Sequence, residues 1–278
     1  MLIYAVFTFS QRIEVVKNEK LTIASAYGFY PVMNAEGTLL LYTSGNYEGL
    51  YLQEIGSGKN ICISEDPGAG FEPVFSESGD QVYYRKERRE DGKRFKSVMR
   101  FDRTTAHREL AVAESRDNVA LRKKMNRLQN RTTKTEAVSE NLELVVYRNG
   151  IRKVLTPFDK VPGYIWVSLS PAQDRILFTA PSKGTFVCDL NGKVIASLGE
   201  LNAPVWYDDN WIVGMEDHDN GEDIVKSGIV MISADGKNRT VLTPDSLIAM
   251  YPTASAKSKK IAYNTANGEM YMMEIDIR

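Results

Sequence analysis

At 278 residues and a net charge of −1, the chain has no whole-molecule attraction for nucleic acid or anionic lipid, so any electrostatic function must be local. Hydrophobic residues at 43% and charged residues at 26% are the proportions of an ordinary soluble globular protein. The two cysteines, Cys62 and Cys188, read as small buried apolar residues rather than as a disulfide, so they say little about compartment.

The chain opens on Met1–Phe9, which carries no charged side chain; the first is Arg12. This stretch is too short to span a bilayer. Two readings stand open: an ordinary strand, or the apolar part of a secretory signal occupying residues 1–11.

From there one phrase recurs: an apolar or Pro anchor, a short β-run, a polar turn and a second β-run. The anchors are Pro31, Pro73, Val167, Pro204 and Pro252, separated by 42, 94, 37 and 48 residues. The long step is a double one, so a sixth unit is hidden between Pro73 and Val167. Six units of about 46 residues each is the period of four-stranded propeller blades. The sequence therefore predicts one all-β domain over 1–278, a six-bladed β-propeller of antiparallel blades.

In the first unit the predicted strands are Tyr30–Met33, Leu39–Thr43, Gly49–Glu54 and Asn60–Ser64, with Gly and Asn at the turns. In the hidden third unit, Leu144–Tyr147, the turn Arg148-Asn149-Gly150 and Arg152–Leu155 form a hairpin signal. Its first part departs from the plan. Residues 116–140 read as an irregular or helical insertion, because Leu121, Met125 and Leu128 fall at helical spacing after a capping Asp117. The fifth unit repeats the plan through Trp211–Met215 and Ile229–Ser233, and its Val241-Leu242-Thr243-Pro244 echoes Val154-Leu155-Thr156-Pro157. The last unit offers only Met250–Ala254, Lys260–Asn264 and Glu269–Ile275. Closing the ring then requires an outer strand from within Arg12–Ile23, which removes an open sheet edge.

The phrases Phe75-Ser76-Glu77-Ser78-Gly79-Asp80 and Leu169-Ser170-Pro171-Ala172-Gln173-Asp174, each followed by an apolar strand, resemble the TolB-like, WD-like propeller repeat. The resemblance covers nearly the whole chain except 116–140. It implies a propeller fold related to TolB and to the propellers of dipeptidyl-peptidase-like enzymes. It also implies a periplasmic or secreted location, the alternative being cytoplasmic.

Candidate chemistry is sparse. The hydrolase domain that accompanies dipeptidyl-peptidase propellers bears a Gly-x-Ser-x-Gly elbow; that pentapeptide does not occur here, and His107 and His218 are the two histidines. The acidic run Glu216–Asp223 offers Asp217, Asp219 and Asp223 as candidate calcium ligands, though without calcium-loop spacing. From Arg85 to Arg103 there are nine Lys/Arg against four Asp/Glu, which makes Arg88 and Arg89 candidate contacts for an acidic partner. The second-to-third strand loops of blades two and five share one face, so the rim is expected to be electrically polarised. Tyr30, Tyr164, Trp166, Trp206 and Tyr251 lie near blade starts and are candidate ligand contacts at the channel mouth, with inter-blade packing as the competing role.

The leading functional expectation is a monomeric, non-catalytic module that binds a protein, peptide or glycan, without nucleic acid or a transmembrane segment. The alternative is a carbohydrate-active hydrolase or lyase with paired carboxylates at the channel mouth.

Overall fold

The computed structural model describes residues 12–117, 120, 121, 124, 125, 128 and 135–278. The apolar stretch at 1–11, with its two readings, lies outside the described residues.

The first strand, β1, covers Ile13–Lys20. Blade one follows with β2 (Phe29–Met33), β3 (Leu39–Thr43), β4 (Glu48–Glu54) and β5 (Asn60–Pro67). Blade two holds β6 (Val74–Phe75), β7 (Gln81–Glu90), β8 (Lys93–Asp102) and β9 (Arg108–Ser115). Blade three holds β10 (Thr135–Glu140), β11 (Glu143–Arg148) and β12 (Ile151–Leu155). Blade four runs through β13 (Ile165–Leu169), β14 (Arg175–Ala180), β15 (Gly184–Asp189) and β16 (Val194–Gly199). Blade five contains β17 (Asn202–Trp206), β18 (Trp211–Asp219), β19 (Ile224–Ser233) and β20 (Arg239–Val241). The last strands are β21 (Ala249–Ser255), β22 (Lys260–Thr265) and β23 (Met270–Ile277).

The sixth sheet has the order β1-β23-β22-β21, so the predicted closing strand lies within Arg12–Ile23. Its register runs from Ile13 opposite Ile277 to Lys20 opposite Tyr271.

The second strand of each blade is covered on both faces, which is why it reads as an unbroken apolar run rather than an alternating one. In β3, Leu39 and Leu41 pack toward blade two, whereas Leu40 and Tyr42 pack toward blade six. The polar turns before these strands have a repeated chemistry. Asn34 Oδ1 accepts from the Thr38 and Leu39 N–H groups, and Ser170 Oγ accepts from those of Asp174 and Arg175. Ser76 Oγ does the same for Gln81 N–H. The recurring Asn or Ser is thus a local backbone cap.

The Pro anchors have a structural cause as well. In β2, β13, β17 and β21 the pairing slips by one residue, as between Phe29/Val32 opposite Thr43/Leu41. Within each slip sits a residue of positive φ: Tyr30 (52°), Trp166 (49°), Ala203 (44°) and Tyr251 (51°). Glu72 (49°) holds the same place ahead of Pro73 in blade two. A proline fits directly after such a bulge, where the interrupted ladder makes its missing N–H cheap. The displaced donors are met by the preceding blade: Tyr30 N–H reaches Asn264 Oδ1 at 3.1 Å and Tyr251 N–H reaches Met215 Sδ at 3.4 Å.

Blade three differs from the expected plan in two ways. Its sheet has three strands among the described residues, and the irregular stretch ends before 140, because Thr135–Glu140 forms the inner strand β10. The helix is present: Asp117 caps it through Ala120 N–H (3.0 Å), and Leu121, Met125 and Leu128 pack on Tyr83, Val98 and Val112 of blade two.

Five seams of the ring are filled by side chains of adjoining blades. At the seam between blades two and three, the apolar cluster on blade two is completed by the helix instead.

Of the cysteines, Cys188 is buried, and burial pushes its thiol up to about 12. Cys62 is exposed, contrary to expectation, because it sits on the outer strand β5. Among the described residues, no helix is long and apolar enough to cross a membrane.

Candidate functional site

The channel encloses a cavity of about 900 Å³ lined from blades one to five. Its upper end is the face bearing the second-to-third strand loops. Inner strands start there, so the bulged residues stand at the mouth and the capped polar turns lie at the far end.

Beside the mouth, four rings form a continuous shelf. Tyr30 stacks on Tyr47 at 4.5 Å and meets Tyr251 edge-on at 4.6 Å, and Tyr47 meets Phe71 edge-on at 5.1 Å. The bulges at 30 and 251 bring the first contact about, and Tyr47 joins from the β3–β4 turn. The Arg85 guanidinium lies 4.7 Å above the Phe71 ring and donates to Glu72 Oε2 at 2.9 Å. Arg85 and Glu72 both line the cavity, as do Trp166 and Glu136.

Burial, and then the neighbouring Tyr30, raise the Tyr47 phenol above its ordinary value of 10.0. Tyr251 is raised by burial first and then by Tyr30 and Asp217. Lys96, across from Glu87 on the same blade, is lowered by burial and by the like charge of Arg85. Tyr47 and Tyr251 therefore present neutral phenols throughout the physiological range.

These shifts carry a pH prediction. Buried Tyr42, Tyr84 and Tyr263 are raised by the same cause, burial, as Tyr47 and Tyr251. The unfolded chain ionises its tyrosines near 10, before the folded one does, so this contribution to stability is intact below that pH and is lost above it. Urea midpoints measured from pH 7 to 11 should stay level with respect to these groups until about 9.5 and then fall. A midpoint that rises between pH 10 and 11 would contradict burial of these phenols.

The structure sorts the other sequence candidates. Trp166 lines the cavity at the mouth and is 38% exposed. Tyr30 and Tyr251 belong to the shelf next to the cavity. Trp206 lines the cavity at its far end, because it is the last residue of β17, and Ala203 takes the bulge position in that blade. Tyr164 is a core residue, 5% exposed, whose hydroxyl donates to Phe158 O and accepts from Phe158 N–H.

Arg88 makes a two-pronged contact with Glu114, adds Glu90, and lies 4.8 Å over Phe95. Arg89 pairs with Glu87 at 3.2 Å. The basic hairpin β7–β8 thus neutralises much of its own charge, which weakens one pole of the expected rim. At the other pole Glu216 pairs with Arg239, and Asp217 accepts from Asn202 at 2.7 Å. Among the described residues, Asp219, Glu222 and Asp223 have no Lys or Arg partner.

The three proposed calcium ligands are not gathered. Asp217 and Asp219 lie along extended β18, Asp223 sits in the turn beyond it, and among the described residues no three of His, Cys, Asp and Glu are placed to hold a metal ion.

Glu72 was legible in principle, since it stands before Pro73 as Tyr30 stands before Pro31. Tyr47 and Glu136 carried no comparable signal.

No protein-family model matches the chain, and no curated protein matches it significantly. Solved structures do. TolB from Acinetobacter baumannii is similar at 17% identity and a TM-score of 0.50, over 78% of this chain and 54% of that one. The tricorn protease is similar at 12% and 0.53, over 90% of this chain and 26% of that one. A putative TolB from Agrobacterium tumefaciens is similar at 13% and 0.51, over 90% of both chains. The chain spans about half of the first protein and about a quarter of the second. At these identities the likeness is one of fold. What it shows is a six-bladed β-propeller built like those of TolB and the tricorn protease.

Proposed function

We propose that this chain is a binding module that takes a protein or peptide segment at the upper mouth of its propeller. The observation that carries this reading is the half-buried Tyr30–Tyr47–Tyr251–Phe71 shelf beside an open cavity. Tyrosines of this kind supply rigid contact area with a polar tip, at low cost in side-chain entropy. The neighbouring ionised pair, Arg85 with Glu72, is already engaged, which suits holding a ligand better than exchanging protons with it. A glycan stacked on the same rings is the other ligand class that this surface accommodates. Following its repeat, we place the module in the periplasm or outside the cell.

The alternative, a sugar-cleaving enzyme, has one feature in its favour: Glu72 and Glu136, from neighbouring blades, face the same cavity.

The test is selection of peptides from a random library, and of glycans from an array, on the immobilised chain, followed by titration of the hits. Trp166, exposed at the mouth, is a natural fluorescence reporter. Tyr30→Ala and Trp166→Ala should each weaken a genuine hit by about tenfold or more. Substrate panels for peptidase, esterase and glycosidase activity should read at background. Hits indifferent to both substitutions, or hydrolysis abolished by Glu136→Gln, would overturn the reading.

A further inference from the structure

The charge along the channel and its rim is lopsided. Among the described residues, the acidic and basic side chains lining the cavity are Glu36, Glu72, Glu77 and Glu136, against Arg85 alone. Glu36 is held by Lys257 and Glu72 by Arg85. Glu77 and Glu136 have no Lys or Arg partner among the described residues. On the rim above, the blade-five hairpin ends in Asp219, Glu222 and Asp223, likewise without cationic partners among the described residues, whereas on the blade-two hairpin Lys86 is paired with Asp66 of blade one, and Arg88, Arg89 and Arg94 are paired with carboxylates of their own blade. A neutral molecule thus presents an acidic approach to an acidic cavity.

The shelf points the same way. Aromatic faces are electron-rich and attract ammonium and guanidinium groups. The cluster already does this within the chain, where Arg85 stands over Phe71. Tyr30 and Tyr47 extend the same ring surface away from that arginine, toward blade six.

We propose that the ligand taken at this mouth is cationic, a lysine- or arginine-bearing peptide segment whose side chains reach from the tyrosine shelf to the cavity carboxylates Glu136 and Glu77. The proposal rests on the binding-module reading and adds the sign of the partner's charge. Glu136 holds a bound cation near the mouth and Glu77 another at the far end of the channel, and the acidic tip of the β18–β19 hairpin speeds their arrival without touching them in the bound state.

The probe is an end-capped octapeptide carrying three arginines among glycines, compared with its glutamate counterpart. Binding is followed by anisotropy of a label at the peptide's end. The arginine peptide should bind about tenfold or more tightly than the glutamate one, and its affinity should fall about fivefold or more between roughly 50 and 300 mM salt. Glu136→Gln and Glu77→Gln, near-isosteric and checked for unchanged melting, should each weaken it by about threefold or more. Asp219→Lys with Asp223→Lys should act mainly on the association rate.

Equal binding of the two peptides, preference for the glutamate one, failure of the arginine peptide to bind, or indifference to both glutamine variants would overturn the charge assignment. None of these results touches the wider reading, which stands or falls on the library selection. Hits drawn there that are uncharged or acidic would retire the cationic ligand while keeping the module.

Discussion

Removing residues 1–23 should lower the melting temperature by roughly 10–20 °C, the largest stability effect expected from any local change in this chain. The deleted segment contains all of β1, which is hydrogen-bonded to β23 over its length. It also contributes to two seams. Ile13 is buried with Met273 and Ile275 against blade five, and Leu21 and Ile23 pack on the core between blades six and one. Asn18 and Tyr263 exchange hydrogen bonds at 2.9 and 3.1 Å. Each buried aliphatic side chain contributes about 1.5–3 kcal/mol, and part of the sum is offset by the chain entropy that the deletion releases. A net loss of about 5 kcal/mol shifts a domain of this size by 2–4 °C per kcal/mol. The exposed β23 edge should also make the truncated protein prone to self-association. Calorimetry of both proteins decides the matter: a shift smaller than about 3 °C would mean that β1 adds nothing to closure.

The second large effect is expected at the helix-filled seam. Leu121 is 1% exposed and belongs to the only apolar cluster on blade two's far face among the described residues. Leu121→Asp buries an unpaired carboxylate there and should cost about 3–5 kcal/mol, lowering the melting temperature by roughly 8–15 °C. Its signature should be regional. Amide exchange should quicken in β6–β9 and β10–β12, and change little in β21–β23 on the other side of the ring. Leu121→Met, which preserves volume, should cost less than about 1.5 kcal/mol and serves as the control. Uniform acceleration across all six blades would show that this seam is no more independent than the others.

How much of this was legible in the sequence follows from which residues repeat. The blade phrase was readable because its parts answer to local physics: Asn34, Ser76 and Ser170 cap their own turns, and Pro31, Pro204 and Pro252 follow a bulge where no N–H is needed. Closure by the N-terminal strand was readable by subtraction, since Ala249–Ile277 holds only three strands. That blade three shows three strands among the described residues was not, because the hairpin through Asn149-Gly150 looks the same whether or not another strand lies beyond it. Site residues were legible only in part. The phrase locates Tyr30, Trp166 and Tyr251 at the bulge beside the mouth, but Trp206 sits three residues past the equivalent position. Tyr164 takes the competing packing role, because nearness to a blade start does not say which way a ring points. The charge on the basic hairpin misled for a similar reason. Counting cations in β7 and β8 omits Glu114, which arrives from the neighbouring strand β9 to hold Arg88.

The bulge before each anchor has a consequence for how such a surface changes over time. It holds an aromatic side chain in three blades, a carboxylate in a fourth and a methyl group in a fifth, on the same backbone kink. The residues that fix the blade, the anchor and the capped turn, lie elsewhere in the phrase. A substitution at the kink therefore alters what the mouth displays while leaving the supporting register in place. Each of these five blades contributes one rewritable letter, and together they read as a short word that mutation, or a designer, can respell without renegotiating the scaffold.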